Sequence, residues 1–271
     1  PSVGATENLM MAAALARGAT QIRNAAREPE IIEVQSFLNK MGARIRGAGT
    51  DVIRIDGVDA LCPAEHTIIP DRIEVGTYLV AGAMAGGCLR VHPVIPQHVT
   101  SLVAKLRETG VEVVVSEHDI TVHSTGRYQA VNFQSLPYPG FPTDLLPQVM
   151  AMMTVAQGTS VIRETVYTNR YKHVSELRRM GANIIIADRT AVVQGMTHLT
   201  GAEVVVPDLR AGAALTLAAL AADGVTIIED AGHLDRGYDN LIGKLQGVGA
   251  SISNIGQCET NLVSANSFHA I

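Results

Sequence analysis

Apolar and polar positions along this chain follow one plan four times over. The stretches "ALARGATQIRNAAREPEIIEVQSFLNKMGARI", "GAMAGGCLRVHPVIPQHVTSLVAKLRETGVEV", "MTVAQGTSVIRETVYTNRYKHVSELRRMGANI" and "LAADGVTIIEDAGHLDRGYDNLIGKLQGVGASI" each begin in an Ala-rich helix that ends at a glycine (Gly18, Gly87, Gly158, Gly224). A short alternating strand, a loop, a second helix, another glycine (Gly42, Gly110, Gly181, Gly249) and more strand follow, so the unit recurs about every seventy residues. Solenoid repeats are usually about 20 to 50 residues, and this unit is longer, combining a helix pair with a sheet. The first helices ("MMAAALA", "YLVAGAMA", "VMAMMTVA", "LTLAALAA") are apolar nearly all round and are expected to be buried. The second helices ("SLVAKLRE", "VSELRRM") carry charge on one face and are expected outside. Strands such as "DVIRIDGV", "HDITVHS" and "TAVVQG" alternate, predicting sheets with one solvated face, and the glycines suit left-handed helix ends. The predicted class is α/β (α+β), with helices inside and sheets outside.

Composition narrows the function classes. At 271 residues and 47% hydrophobic the chain can build one large domain or two ordinary ones. Net charge is −5, no run of Lys and Arg occurs, and six Tyr, four Phe and no Trp offer little for stacking bases, which argues against nucleic acid as a partner. Cys62, Cys88 and Cys258 are far apart and odd in number, which fits a reducing cytoplasm and no disulfide framework. No CxxC or HExxH spacing points to a metal. Apolar runs such as "AALTLAALAA" fall far short of the roughly 20 residues of a membrane span, and no signal peptide opens the chain. There is no initiator Met either, and "PSVGATEN" looks like the middle of something.

Candidate chemistry centres on "YPGFPTDLLPQVMAMMTVAQG", where Asp144 stands between a proline-rich loop and a Met-rich run. Helix capping is one explanation: Thr143 can accept from a first-turn amide, and Asp144 suits the positive end of the helix dipole. Arg210 in "DLRAGAAL" and Arg236 in "HLDRGY" read, by themselves, as surface arginines.

The phrases "PSVGATEN", "NAAREPEI", "PDRIEVGT", "FPTD", "DLRAGAAL" and "HLDRGY", in that order between Pro1 and about Ile255, resemble the UDP-N-acetylglucosamine branch of the enolpyruvyl transferase family, which also contains the shikimate-pathway enzyme. The resemblance implies two inside-out α/β barrels of three repeats each. Four of the six repeats would be present: residues 1–69 as the last repeat of the first barrel, 70–255 as the second barrel, and 256–271 as a loose tail. An amino-terminal portion would be missing. With it would go the family's Lys-Asn pair, the reactive loop bearing Cys or Asp, and a loop arginine, so the chain alone is expected to be inactive.

The implied reaction transfers the enolpyruvyl group of phosphoenolpyruvate to a hydroxyl of UDP-N-acetylglucosamine and releases phosphate, without cofactor or metal, in peptidoglycan precursor synthesis. It needs a base, an acid and cations for phosphate and carboxylate. By resemblance Asp144 is the base for the sugar hydroxyl, with Thr143 beside it. Arg210 and Arg236 hold phosphoenolpyruvate or respond to its binding, since guanidinium grips such anions bidentately. Asp208 orients Arg210 or joins proton transfer, with turn capping as an equal alternative. Pro1, Ser2 and Val3 match a diphosphate-holding turn at a helix amino end, and Val166 a residue lining the sugar and uridine pocket. Arg27, Glu28 and Glu30 match charged residues that contact the sugar or order a closed form, a solvated loop being the rival explanation. Arg72 and Glu74 read as hinge or structural. Leu146 replaces a usual Gln. Two alternatives remain, a non-catalytic UDP-sugar-binding relative and the shikimate-pathway activity; a purely structural repeat protein is disfavoured by the polar residues at equivalent loop positions.

Overall fold

Each sequence copy folds as a helix, a strand, a second helix and a strand pair. The computed structural model describes residues 1–255 and 261–264. The first copy comprises α1 (Val3–Ala14), β1 (Ala19–Arg23), α2 (Pro29–Lys40), β2 (Arg44–Arg46) and β3 (Val52–Asp56). The second comprises α3 (Arg72–Ala85), β4 (Gly87–Val91), α4 (Thr100–Glu108), β5 (Glu112–Val115) and β6 (Ile120–Ser124). A short strand β7 (Phe133–Gln134) precedes the third: α5 (Leu146–Met153), β8 (Thr159–Arg163), α6 (Val174–Arg179), β9 (Asn183–Ala187) and β10 (Thr190–Gln194). The fourth adds β11 (Leu199–Thr200) and β12 (Glu203–Val205) before α7 (Leu209–Leu220), β13 (Ala222–Asp223), β14 (Val225–Glu229), α8 (Leu241–Gly247), β15 (Ser251–Asn254) and β16 (Asn261–Ser264).

The turns follow from glycine chemistry. All eight punctuating glycines have positive φ, between 86° and 111°, a region an L side chain enters only with strain. The sheets share one order: the last strand lies centrally, β3 between β1 and β2, β6 between β4 and β5, β10 between β8 and β9, and β16 between β14 and β15. These pairings are antiparallel, whereas β7 joins β8 and β12 joins β14 in parallel. Alternation holds at the side-chain level, with Ile53, Ile55, Ile120, Val122, Ala191 and Val193 buried and their neighbours facing out.

Two units form. Pro1–Pro70 makes one, with Pro137–Gly140 grouped into it; Asp71–Leu136 and the chain from Phe141 make the other. In the second unit α3, α5 and α7 are buried along nearly their whole length, α5 packing against α7 and both against α3, while α4, α6 and α8 each bury one face. Glycines let these helices approach: a Cβ at Gly76 would meet Leu145, and one at Gly212 would meet Leu234 and Val206. Glycine also closes the loop ends, since Gly57 and Gly195 each sit where a Cβ would overlap a carbonyl oxygen, that of Ala16 or Ala156.

Two expectations are corrected. The first helix of the first copy is not buried all round: Leu9, Met11 and Leu15 are 53%, 49% and 54% exposed. Its unit supplies only α2 and one three-stranded sheet for it to pack on, which covers the face of Met10, Ala13 and Ala14. Nor is the segment after 256 loose throughout, because β16 pairs with both β14 and β15. The rest of that segment, Cys258 included, lies outside the described residues.

Candidate active site

A proline-rich loop delivers the central carboxylate. Pro142 precedes a single 3-10 turn, Thr143–Leu145, and α5 starts at Leu146 with Pro147 in its first turn. No side chain caps that helix, so the capping role expected of Thr143 is not taken up. Its hydroxyl is engaged elsewhere, donating to Glu164 Oε2 at 2.7 Å and accepting from Arg170 Nε at 3.1 Å.

Asp144 is held by two arginines. Arg170 Nη2 donates to Oδ1 at 2.7 Å, and Arg210 donates to Oδ2 through Nη2 at 3.0 Å and Nε at 3.1 Å. The arginine side chains are 10% and 15% exposed, that of Asp144 36%. Burial alone would depress the Arg210 guanidinium, but Asp144 and then Tyr238 outweigh it, and its pKa stands above the ordinary arginine value. Arg210 Nη1 has no hydrogen-bond partner, so the guanidinium keeps a donor for a further anion.

Buried polar groups surround this centre. Arg210 sits in the first turn of α7, whose N-cap is Asp208, accepting from Ala211 N at 2.9 Å. The Tyr238 ring centroid is 5.8 Å from the Arg210 guanidinium, and its hydroxyl meets Thr77 Oγ1 at 3.0 Å and accepts from Gln148 Nε2 at 3.2 Å. Leu146 is fully buried core, and Gln148 supplies the amide of this cluster. Arg236 is exposed at the end of a 3-10 turn, Ala231–Arg236, two residues before the buried Tyr238. Val166 is exposed beside Tyr167, whose ring lies 4.7 Å from the Arg170 guanidinium. Glu74, in the first turn of α3, pairs with Lys244 Nζ of α8 at 2.8 Å, next to Arg72 at the helix start.

The first unit gathers its own candidates. Ser2 caps α1, its hydroxyl accepting from Ala5 N at 3.4 Å, with Pro1 before it and Val3 opening the helix. Buried Thr6 ties this turn to the loop of Arg27, donating to Ser2 O at 2.8 Å and accepting from Ala26 N at 3.1 Å. Arg27 reaches Asp51 at 3.9 Å, and Glu28 and Glu30 flank the start of α2. Glu7 of α1 is near both: its pKa is raised by burial first, then by Glu30 and Glu28.

Arg170 and Glu164 were not singled out by sequence reasoning. The signal for Glu164 lay in the alternation of β8, which places Ser160, Ile162 and then Glu164 on the inward face. Arg170, in "TNRY", carried no such signal. His173, three residues on, is fully buried, with neither ring nitrogen partnered. Burial pushes its imidazole down to about 4, against a smaller upward pull from Asp208. An unfolded histidine titrates near 6.5, so the unfolded chain takes up a proton over a window where the folded one does not. The stabilisation is complete above about pH 6.5 and is lost as pH falls toward 4. Between pH 7 and pH 5 the expected loss is about 2 kcal/mol; denaturant midpoints at the two values should show it, and His173→Gln should flatten the difference.

Comparison with known proteins gives the family. A family model described as EPSP synthase (3-phosphoshikimate 1-carboxyvinyltransferase) matches residues 1–245. UDP-N-acetylglucosamine 1-carboxyvinyltransferase 1 of Caldanaerobacter subterraneus subsp. tengcongensis is 60% identical over 252 residues, 93% of this chain and 61% of that protein. The protein of the same name from Symbiobacterium thermophilum is 59% identical over 257 residues, 94% of this chain and 58% of its own. The crystal structure of the enolpyruvyl transferase NikO from Streptomyces tendae matches with a TM-score of 0.81 at 28% identity, covering 97% of this chain and 61% of that one. EPSP synthase from Acinetobacter baumannii, at 18% identity and a TM-score of 0.60, shares the fold. The chain therefore spans about three fifths of the length of the curated relatives it matches. A family model covering most of the chain, together with relatives this similar, shows that the chain belongs to the enolpyruvyl (carboxyvinyl) transferase family.

Proposed function

We propose that the protein carrying this chain transfers the enolpyruvyl group of phosphoenolpyruvate to a sugar hydroxyl of UDP-N-acetylglucosamine, releasing phosphate, in peptidoglycan precursor synthesis. The observation that carries this reading is Asp144 clasped by Arg170 and Arg210 at the entrance of a buried helix. Asp144 takes the proton of the attacking hydroxyl. An anionic substrate competes with it for the guanidinium donors, which frees a carboxylate oxygen for that hydroxyl. Arg210, Arg170 and, from its exposed turn, Arg236 act on phosphoenolpyruvate, and guanidinium keeps its charge as phosphate departs. Asp208 sets the start of the helix that bears Arg210. On the nucleotide side, Pro1, Ser2 and Val3 offer a helix amino end to the diphosphate, Val166 lines the sugar pocket, and Arg27, Glu28 and Glu30 contact the sugar. Thr143 serves by holding Arg170. Three widely separated cysteines fit a reducing compartment, and the reaction is assigned to the cytoplasm.

The test is phosphate release from phosphoenolpyruvate by the longest polypeptide that contains this chain. Release is expected to depend on UDP-N-acetylglucosamine and not on shikimate 3-phosphate. Dependence on shikimate 3-phosphate alone would overturn the acceptor assignment, and binding of the nucleotide sugar with no release under any pairing would favour a non-catalytic relative.

A further inference from the structure

Glu164 is a carboxylate to which the proposed reaction gives no part. It is 1% exposed, just past the end of β8, and it faces inward. Carboxylates in such places are normally paired with a cation. Glu164 instead collects hydroxyl and amide protons. Oε1 accepts from Ser135 Oγ at 2.6 Å and from the backbone amides of Val166 and, at 2.8 Å, Tyr167, while Oε2 accepts from Thr143 Oγ1 at 2.7 Å.

These bonds set a direction. A threonine hydroxyl has one proton to give, and the carboxylate takes it. Thr143 Oγ1 is then left as an acceptor, and Arg170 Nε donates to it at 3.1 Å while Nη2 of the same guanidinium donates to Asp144. Through its other oxygen Glu164 fixes the amide of Tyr167, whose ring lies 4.7 Å from that guanidinium. Arg170 is thus held on one edge by a hydroxyl and on one face by a ring, and both are fixed by the same buried carboxylate.

We infer that Glu164 is a positioning residue: through the Thr143 hydroxyl and the Tyr167 backbone it fixes the Arg170 guanidinium against Asp144, and it ties the loop of Val166 to the same point. The inference rests on the reading above for why Arg170 matters, and its test needs no turnover, so the two can fail separately. In 15N-labelled chain, exchange of the Arg170 Nε proton with water is followed by NMR in wild type, T143S, T143V, E164Q and E164Q/T143V. Slow exchange is expected in wild type and T143S. In T143V and E164Q exchange should accelerate about tenfold or more, as expected for loss of one charge-assisted hydrogen bond. The double variant should exchange little faster than either single one, and the Tyr167 amide should shift in E164Q but not in T143V. A carboxylate that only supports the fold would lower the melting temperature of E164Q and leave Arg170 Nε exchange as slow as in wild type. Unchanged exchange in T143V, or fully additive effects in the double variant, would overturn the assignment. If E164Q does not fold, E164D takes its place: the shortened carboxylate withdraws from Thr143 Oγ1 and should speed Arg170 Nε exchange, and unchanged exchange in a folded E164D would overturn the assignment.

Discussion

Asp144→Ala is expected to cut turnover by about a hundredfold or more, the usual worth of a positioned general base, and to weaken the fold as well. The two effects have separate origins. Turnover falls because the carboxylate gripped by Arg170 and Arg210 at the entrance of α5 is gone. Stability falls because Arg170 and Arg210, at 10% and 15% exposure, lose the anion that both of them grip. Removing one partner of a fully buried pair costs about 3 to 5 kcal/mol. Asp144 itself is 36% exposed, so water and ions recover part of that, and a loss of about 2 kcal/mol is expected. Asp144→Asn separates the terms: its carbonyl oxygen still accepts from one guanidinium, restoring some stability, yet it cannot take a proton. Steady-state kinetics and denaturant midpoints on the same preparations measure both. Near-normal turnover in Asp144→Ala would remove Asp144 from the chemistry and leave it a purely structural anion.

A large loss of stability from one small change is expected at Gly195. A Cβ there would lie 1.7 Å from the carbonyl oxygen of Ala156, a backbone atom that no side-chain rotation can move away. Two hydrogen bonds hold the approach, Gly195 N to Gly158 O at 2.9 Å and Met196 N to Thr154 O at 2.7 Å. Admitting a methyl group means parting the chains and stretching both. The first copy repeats the arrangement, with Gly57 facing Ala16 O at 1.6 Å and bonds from Gly57 N to Gly18 O and Val58 N to Ala14 O. Gly195→Ala should therefore cost about 4 kcal/mol or more, in the range that marks a specific structural failure. Gly247→Ala is the control: it ends α8 with nothing near its missing Cβ and should be neutral or slightly stabilising. Equal denaturant midpoints for the two variants would show that the backbone at Gly195 yields.

The fold was legible because its signals are local. Helix ends at glycine, alternation in β3, β6 and β10, and apolar first helices each depend on residues within one repeat, and the structure follows them. Where the expectation for α1 failed, the cause was supply of partners rather than sequence pattern, since "MMAAALA" reads as buried wherever it stands. The site was harder. The resemblance names Asp144 and Arg210, but their ion pair joins residues 66 apart in different repeats, and no periodicity connects them. Thr143 was read as a cap because Thr before a helix commonly is one. Arg170 Nε, not a first-turn amide, donates to that hydroxyl, whose own proton goes to Glu164, and only the packed sheet brings Glu164 close. Arg170 was invisible for the opposite reason: arginines in polar loops are common, and what sets this one apart is burial between Tyr167, Thr143 and Asp144.

The central place of the last strand in every main sheet bears on how the chain is made. A ribosome delivers β1 before β2, β4 before β5, β8 before β9 and β14 before β15, but none of these pairs has its middle strand until the repeat is nearly complete. Until then each nascent repeat shows two unpaired strand edges, the surfaces most prone to wrong pairing. Order is thus acquired in steps of one repeat, about seventy residues, and not strand by strand. A translational pause is expected to be harmless once β3, β6 or β10 has emerged from the ribosome, and hazardous before. Synthesis that stops short of Asn261 leaves β14 and β15 in the same open state, without the strand that joins them.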